Sequence, residues 1–368
     1  MTKLEEQLKL LRDEIDDVDQ QILKLVGQRA GCAQRVAEAK QTYSESEEQA
    51  VFYRPEREAQ VLRRIMERNQ GPLGDEEVAR VFRQIMSSCL ALEQPMQIAF
   101  LGPQGTFTQA AAFKHFGSSV VSMPLASIDQ VFREVESKTA HYGVVPIENS
   151  TEGMVHHTLD MFRRSDLKIC GEVELRIHQH LLAADGVDLD NITKIYSHQQ
   201  SLAQCRRWLD ARYPGVERVA VSSNAEAALR AANEKGQNVV AIAGNMAAEH
   251  YQLNIAADTI EDEPDNTTRF LIVGHQLSGP SGKDKTSLLV SARNKPGALY
   301  HLLEPFHRFG ISLTRLETRP SSVGTWGYIF YIDCEGHFSD EPIQAVIKEL
   351  TDEALELKLL GSYPQAVL

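Results

Sequence analysis

From Leu4 to Lys40 the chain holds no proline and only two glycines, and its apolar residues fall at Leu4, Leu8, Leu11, Ile15, Val18, Ile22 and Leu25. Steps of four and three alternate, which is the seam of a long amphipathic helix built to lie against another helix. Continued, the seam passes through Arg29, Cys32, Val36 and Ala39. An arginine thus stands where the pattern asks for a hydrophobe, a costly placement unless an anion meets it. Lys40 lies eleven positions beyond Arg29, so it returns to nearly the same face about 16 Å along the axis. The two cations can bracket one small dianion. Arg12, at the seam's edge, is about 42 Å from Lys40 on a continuous helix. Both can reach one small ligand only if Arg12 comes from an antiparallel partner, which predicts a dimer. The competing reading is a coiled-coil arm with ordinary surface ion pairs.

Two shorter helices should follow. One spans about 54–69, with Arg57 and Glu58 in its first turns; after Gly71-Pro72-Leu73-Gly74, Asp75 should cap another that runs to about 93. The acidic stretch from Ser44 to Glu48 reads as a solvated loop.

A chain of 368 residues exceeds one ordinary core and predicts two or three domains. No stretch approaches the ~20 apolar residues of a membrane span, and the charged start is no signal peptide. A net charge of −13 argues against nucleic acid but not against a small anion met by local arginines. Five scattered cysteines without a CxxC pair point to a reducing, cytoplasmic setting, with neither a disulfide framework nor a zinc site.

Leu10-Leu11-Arg12-Asp13-Glu14-Ile15, Gln28-Arg29, Ala37-Glu38-Ala39-Lys40 and Arg57-Glu58 resemble the all-helical chorismate mutase family, over residues 1–94. The resemblance implies that Arg29 and Lys40 are catalytic cations and that Arg12 (from the partner), Arg57 and Glu58 bind chorismate. The reaction is a pericyclic rearrangement to prephenate, so catalysis rests on holding a folded dianion and stabilising charge on its ether oxygen. Where the family has a serine and a glutamine in the third helix, this chain has Cys89 and Glu93. An ionised glutamate cannot donate a hydrogen bond, so Glu93 is expected to work protonated.

Beyond Gln97 the pattern changes to alternating strands and helices. Strands fit at 97–101, 120–123, 142–146, 195–197, 219–221, 239–243 and 270–273, and the alternation predicts parallel sheets in two lobes around a cleft. Gly102-x-x-Gly105 after a strand is only a weak phosphate-loop signal. His156-His157 and His178-x-His180 lack a third ligand at metal spacing, and Glu261, Asp262, Glu263 and Asp265 read as a solvated loop. Strand ends are where open α/β sheets bind ligands, which singles out Glu148-Asn149-Ser150 and Ser197-His198. Leu-Gly-Pro-x-Gly-Thr-Phe from Leu101, Val-Val-Pro-Ile-Glu-Asn-Ser from Val144, Ser197-His198 with Gln204-Cys205, and Thr268-Arg269-Phe270 are similar to the prephenate dehydratase family, over residues 96–275. The family fold resembles periplasmic binding proteins. The resemblance implies that Thr268 assists departure of the ring hydroxyl while carbon dioxide leaves, and that Asn149, Ser197, His198 and Gln204 hold prephenate. Arg269 either pairs with a substrate carboxylate or buttresses its strand.

After a Gly/Ser/Pro-rich linker at 276–285, the order βαββαβ reads as a ferredoxin-like unit. It resembles the ACT sensor family over residues 285–364. Gly297-Ala298-Leu299 and Glu317-Thr318-Arg319-Pro320 look like the family's phenylalanine-binding motifs, with Thr318 where serine is usual. The expectation is a three-domain enzyme without metal or cofactor: all-α, then two-lobed α/β, then α+β. It would make phenylpyruvate from chorismate, assemble as a homodimer or dimer of dimers, and be inhibited by phenylalanine. A ligand sensor without catalysis, or a dehydratase with a lapsed mutase arm, are the readings to beat.

Overall fold

The computed structural model describes residues 2–43, 53–234, 236–292, 295–320 and 327–368; the acidic stretch at 44–48 lies outside them. The heptad segment is a single helix, α1 (Lys3–Tyr43). The next helix, α2 (Pro55–Arg68), opens on a proline, whose missing N–H is no loss in a first turn. α3 (Asp75–Glu93) is preceded by Gly74 as N-cap and has no side-chain cap. The cap expected from Asp75 is absent because its carboxylate accepts from Asn69 Nδ2 at 2.8 Å, tying the intervening turn. α3 packs on both α1 and α2. Along the first half of α1 the seam is bare, with Leu4, Leu8, Leu11, Ile15, Val18, Ile22 and Leu25 all 41–64% exposed.

A first α/β lobe contains β1 (Gln97–Leu101), α4 (Phe107–Phe116), β2 (Val121–Leu125), α5 (Ile128–Glu136), β3 (Tyr142–Asn149), β4 (Gly153–Met154), α6 (His156–Arg164) and β5 (Lys168–Arg176). A second contains β6 (His180–Ala183), β7 (Lys194–His198), α7 (Gln199–Gln204), α8 (Arg206–Arg212), β8 (Glu217–Val221), α9 (Asn224–Asn233), β9 (Val239–Ala243), α10 (Asn245–Tyr251) and β10 (Asn254–Ala257). The chain returns to the first lobe as β11 (Thr267–Gly274). The sheets run β2-β1-β3-β11-β5, with β4 beside β3, and β10-β6-β9-β7-β8.

Both sheets are mixed, not parallel throughout as strand–helix alternation suggested. β1 is parallel to β2 and β3, and β7 to β8 and β9. β11 runs antiparallel to β3 and β5, and β6 antiparallel to β9 and β10. The cause is connectivity. A chain that leaves a lobe on one strand and returns on its neighbour must run back in the opposite sense.

The last unit is β12 (Asp284–Ala292), α11 (Ala298–Arg308), β13 (Leu313–Pro320), β14 (Tyr328–Glu335), α12 (Glu341–Glu353) and β15 (Glu356–Pro364). Its antiparallel sheet has the order β13-β14-β12-β15, which is the ferredoxin-like arrangement. Edge strand β15 crosses so close to β5 that a Cβ at Gly361 would overlap the Ile169 carbonyl, so only glycine fits. The stretch expected as a free linker is packed instead: Ser278, Ser281 and Asp284 are buried. Arg63 of α2 donates to the carbonyls of Ser281, Lys283 and Gln365 at 3.0–3.3 Å, which joins the first and last units across it.

Candidate active sites

The larger cleft lies between the two α/β lobes, with a cavity of about 830 Å³. Thr106, Asn149, Glu152, Gln179, His198, Gln200, Ser201, Gln204, Asn224, Asn266 and Thr268 are among its lining residues. None of the described lining residues is lysine or arginine. Arg207 borders the adjoining mouth, where its guanidinium is taken by the Asp262 carbonyl and Glu263 at 2.9 and 2.8 Å.

Thr268 lies near the start of β11, opposite Asn149 of β3. The Asn149 amide nitrogen donates to Thr268 Oγ and to Asn266 Oδ1, both at 2.8 Å. Its oxygen accepts the backbone N–H groups of Thr151 and Glu152 at 3.0 and 3.1 Å. An amide has two donor hydrogens and two acceptor lone pairs, so Asn149 is saturated. It therefore orients Thr268, whose hydroxyl accepts from Asn149 and keeps its own hydrogen for the cleft, and does not itself present a donor to a substrate.

The second lobe repeats the device. Asn224 Oδ1 accepts from Ser197 Oγ and the His198 N–H, each at 3.1 Å, while Nδ2 donates to Ser201 Oγ at 2.8 Å. Ser197, expected to touch substrate, is fully buried. Its single hydroxyl hydrogen is shared between Asn224 Oδ1 and the nearer Ile242 carbonyl at 2.8 Å, so it serves the scaffold. Ser201, four residues further on, lines the cleft, as do Ser222 and Ser223. His198 lines the wall and caps α7. Gln204 also lines it, accepting from Gln179 Nε2 at 3.2 Å. Glu152 of the first lobe accepts from Gln200 of the second, bridging the cleft. Burial raises the Glu152 pKa, partly offset by His198.

Arg269 points the other way. Successive strand residues face opposite sides, and Arg269 is buried against the last unit. It donates to Glu172 and Asp333, both at 2.8 Å, and to the Tyr363 hydroxyl at 3.0 Å. Burial disfavours its charge, but Tyr363, Asp333 and Glu172 outweigh this and raise its pKa. Lys285 closes the network on Glu172 at 2.8 Å. Of the two roles open to Arg269, the geometry leaves the buttress.

The loop at 261–265 also departs from the solvated reading. The Glu261 side chain is 1% exposed and accepts from the Gln179 N–H at 2.9 Å. Asp262 accepts the N–H groups of Arg207 and Trp208 at the start of α8, at 2.8 and 3.1 Å. Only Glu263 and Asp265 behave as surface acids. His178 pairs with Glu261 at 2.8 Å and His180 with Asp258 at 2.6 Å. The Gly102–Gly105 loop forms one wall of the cleft, and Thr106 caps α4.

At the helical end, Arg29, Lys40 and Glu93 are half-buried near one another. Burial raises the Glu93 pKa, opposed by Lys40 and then Arg29. Cys89 is buried one turn earlier on α3. Arg12 is exposed far along α1 and Arg57 is exposed on α2. Glu58, expected at the same ligand, is turned inward instead. It meets Arg83 at 3.2 Å, whose guanidinium also donates to the Lys114 carbonyl at 2.7 Å. Neighbouring helix positions diverge by about 100°, so Arg57 and Glu58 take different faces.

A third cavity, of about 380 Å³, lies in the last unit and is lined by Gly297, Ala298, Leu299, Thr318, Tyr328 and Phe330, among others. Gly297 has φ +81° as N-cap of α11, a conformation that favours glycine. Glu317 and Arg319, flanking Thr318 on β13, face the opposite way. Arg319 pairs with Asp160 of α6 at 2.9 Å and Glu317 lies 3.7 Å from His156. Pro320 ends the strand, exposed.

Residues 98–278 match the family described as Prephenate dehydratase, 11–94 Chorismate mutase type II, and 286–352 the ACT domain. A bifunctional chorismate mutase/prephenate dehydratase of Stutzerimonas stutzeri is 62% identical, with 99% of each chain covered. The chain belongs to this bifunctional family. A second such relative, from Pseudomonas aeruginosa, is 61% identical with 99% of each chain covered. The crystal structure of a prephenate dehydratase from Arthrobacter aurescens in complex with L-Phe superposes with a TM-score of 0.68 at 35% identity, covering 73% of this chain and 90% of that one.

Cleft residues missed in the sequence include Glu152, Gln179, Gln200, Ser201, Asn224 and Asn266. Glu152 and Asn266 each lie within three residues of a recognised motif. Gln179 and Asn224 carry no local signal, because only the sheet order brings them to the wall.

Proposed function

We propose that the chain rearranges chorismate to prephenate at its helical end and converts prephenate to phenylpyruvate, carbon dioxide and water in the cleft, under inhibition by phenylalanine. Three units carry this: 1–94, 96–275 and 285–364. The observation that supports it most directly is the Thr268 hydroxyl, held by a saturated Asn149 at a cleft without described lysine or arginine. A lining without lysine or arginine among the described residues suits loss of carbon dioxide, since such a cation would stabilise the carboxylate that has to leave. Thr268 donates to the departing hydroxyl; His198 and Gln204 contact prephenate; Asn149 and Ser197 position the walls.

At the helical end Arg29 and Lys40 grip the dianion, and protonated Glu93 donates to the ether oxygen. Arg57 adds a cation from α2, and Arg12 does so from a partner whose α1 covers the bare seam. A homodimer, or a dimer of dimers, follows from that exposed stripe. Phenylalanine binds beside Gly297, Ala298, Leu299 and Thr318, while Glu317, Arg319 and Pro320 form the back of that strand. Inhibition requires tighter binding to the less active state. Among the described residues no helix is long and apolar enough to cross a membrane; a cytoplasmic location fits the reduced cysteines.

The test is to incubate purified protein with chorismate and follow prephenate and phenylpyruvate by chromatography, with and without phenylalanine. Phenylpyruvate that forms and is suppressed by phenylalanine is the expected result. No turnover of chorismate or of supplied prephenate would sink the enzyme reading and favour a sensor.

A further inference from the structure

Asn266 belongs to no motif singled out in the sequence, yet it is 97% buried, with 3% of its surface exposed, and it lines the cleft. Its Nδ2 has no hydrogen-bond acceptor among the described residues. A buried donor left unpaired is costly, so it calls for an explanation. The orientation of the amide is not arbitrary. Asn149 Oδ1 is fixed by two backbone N–H groups, which cannot be anything but donors. The other end of the Asn149 amide is therefore NH₂, and the Asn266 atom facing it at 2.8 Å must be oxygen. That leaves the Asn266 NH₂ directed away from Asn149.

The same Asn149 nitrogen holds Thr268 Oγ at 2.8 Å. The side chains of residues 266 and 268 therefore lie on the same side of the chain, both against Asn149. One saturated amide thus holds both side chains at the cleft wall, the Thr268 hydroxyl and the Asn266 carboxamide, whose oxygen faces Asn149 and whose unpaired N–H is buried on the other side. We infer that Asn266 Nδ2 is a catalytic donor which, with Thr268 Oγ, binds the ring oxygen that leaves prephenate. This rests on the dehydratase reading given above.

The choice of the leaving oxygen over a carboxylate follows from charge. A carboxylate is charged before and after reaction, and would be gripped equally in both. The ring hydroxyl is neutral at the start and gains negative charge only as its bond breaks. Neutral donors bind it weakly at first and strongly in the transition state, which is the condition for raising kcat. In the step itself the C–C bond to the ring carboxylate breaks and releases carbon dioxide. Its electron pair completes the aromatic ring while the C–O bond breaks with its pair on oxygen. The hydroxide so formed is held by the two donors and takes a proton from solvent to leave as water.

The test compares Asn266→Asp and Asn266→Ala with the unaltered full chain, supplying prephenate directly and measuring kcat and KM. Asn266→Asp keeps an acceptor facing Asn149 and puts a carboxylate oxygen in the donor's place, so the donor is lost and a negative charge is added where the leaving oxygen gains its own. Mutase turnover and the thermal unfolding midpoint of each variant report on folding. The expected result is a kcat lower by about 10²–10³-fold in both variants, KM within about threefold for the neutral Asn266→Ala, and mutase activity retained. A raised KM with unchanged kcat would overturn the assignment, because the donor would then serve a group charged throughout. Unchanged kinetics in both variants would overturn it too. If Asn266→Ala unfolds, Asn266→Asp decides by the same criteria; should both unfold, Asn266 is structural and the inference fails. If the unaltered chain does not turn over prephenate, the dehydratase reading has failed instead.

Discussion

The two ends of this molecule handle anions in opposite ways. At the helical end Arg29, Lys40 and Glu93 are half-buried on helices whose longest member leaves its apolar seam uncovered. In the cleft the described walls hold amides, hydroxyls, one carboxylate and one imidazole, with no lysine or arginine. The difference matches the chemistry proposed for each. A rearrangement keeps both carboxylates of its substrate, so cations that compress and hold the dianion help throughout. A decarboxylation must let one carboxylate go, and strong cationic contact with it would stabilise the reactant. On the proposed reading the open end is completed by a second copy, whereas the described cleft walls come from one chain, each fixed by an asparagine.

The largest expected effect that would break this comparison is at Thr268. Thr268→Val keeps the shape and removes the donor, so prephenate turnover should fall by about 10²–10³-fold while chorismate rearrangement is unaffected. Equal loss of both activities would show that the two ends are not separate. A smaller effect is expected from salt. The Debye length is about 10 Å at 0.1 M ionic strength, so raising ionic strength should raise KM for chorismate several-fold and KM for prephenate much less. Equal responses would mean that charge does not distinguish the two sites. The smallest effect concerns pH. Burial raises the Glu93 pKa against the pull of Lys40 and Arg29. The donating form is the protonated one, present below that pKa and lost as pH rises through it, so mutase kcat should decline with rising pH. Glu93→Gln, a donor at every pH, should flatten the profile, and an unchanged slope would discard the role.

Motif residues adjacent in sequence are divided between two tasks. Thr268 faces the cleft and Arg269 faces the last unit. Thr318 faces the small cavity while Glu317 and Arg319 face α6. Strand pleating alone requires this alternation, yet the sequence leaves Arg269 between two roles and presents Glu317, Thr318, Arg319 and Pro320 as one binding patch. One consequence is mechanical: the strand that holds Thr268 is tied through buried Arg269 to Asp333 and Tyr363 of the domain that carries the proposed phenylalanine site.

The sequence by itself determined the three-part order, the helix seam with its misplaced arginine, the βαββαβ tail and the motifs that gather at the cleft. These are local or periodic signals, and spacing of 3.6 or 2 residues is written directly in the chain. Only the tertiary structure decided which way each motif residue points, why Ser197 and Glu58 turn inward, and that Asn266 ends beside Thr268 with an unpaired N–H. Those outcomes depend on which strands become neighbours. β11 meets β3 over a separation of more than a hundred residues, and no local pattern encodes the partner found at that distance.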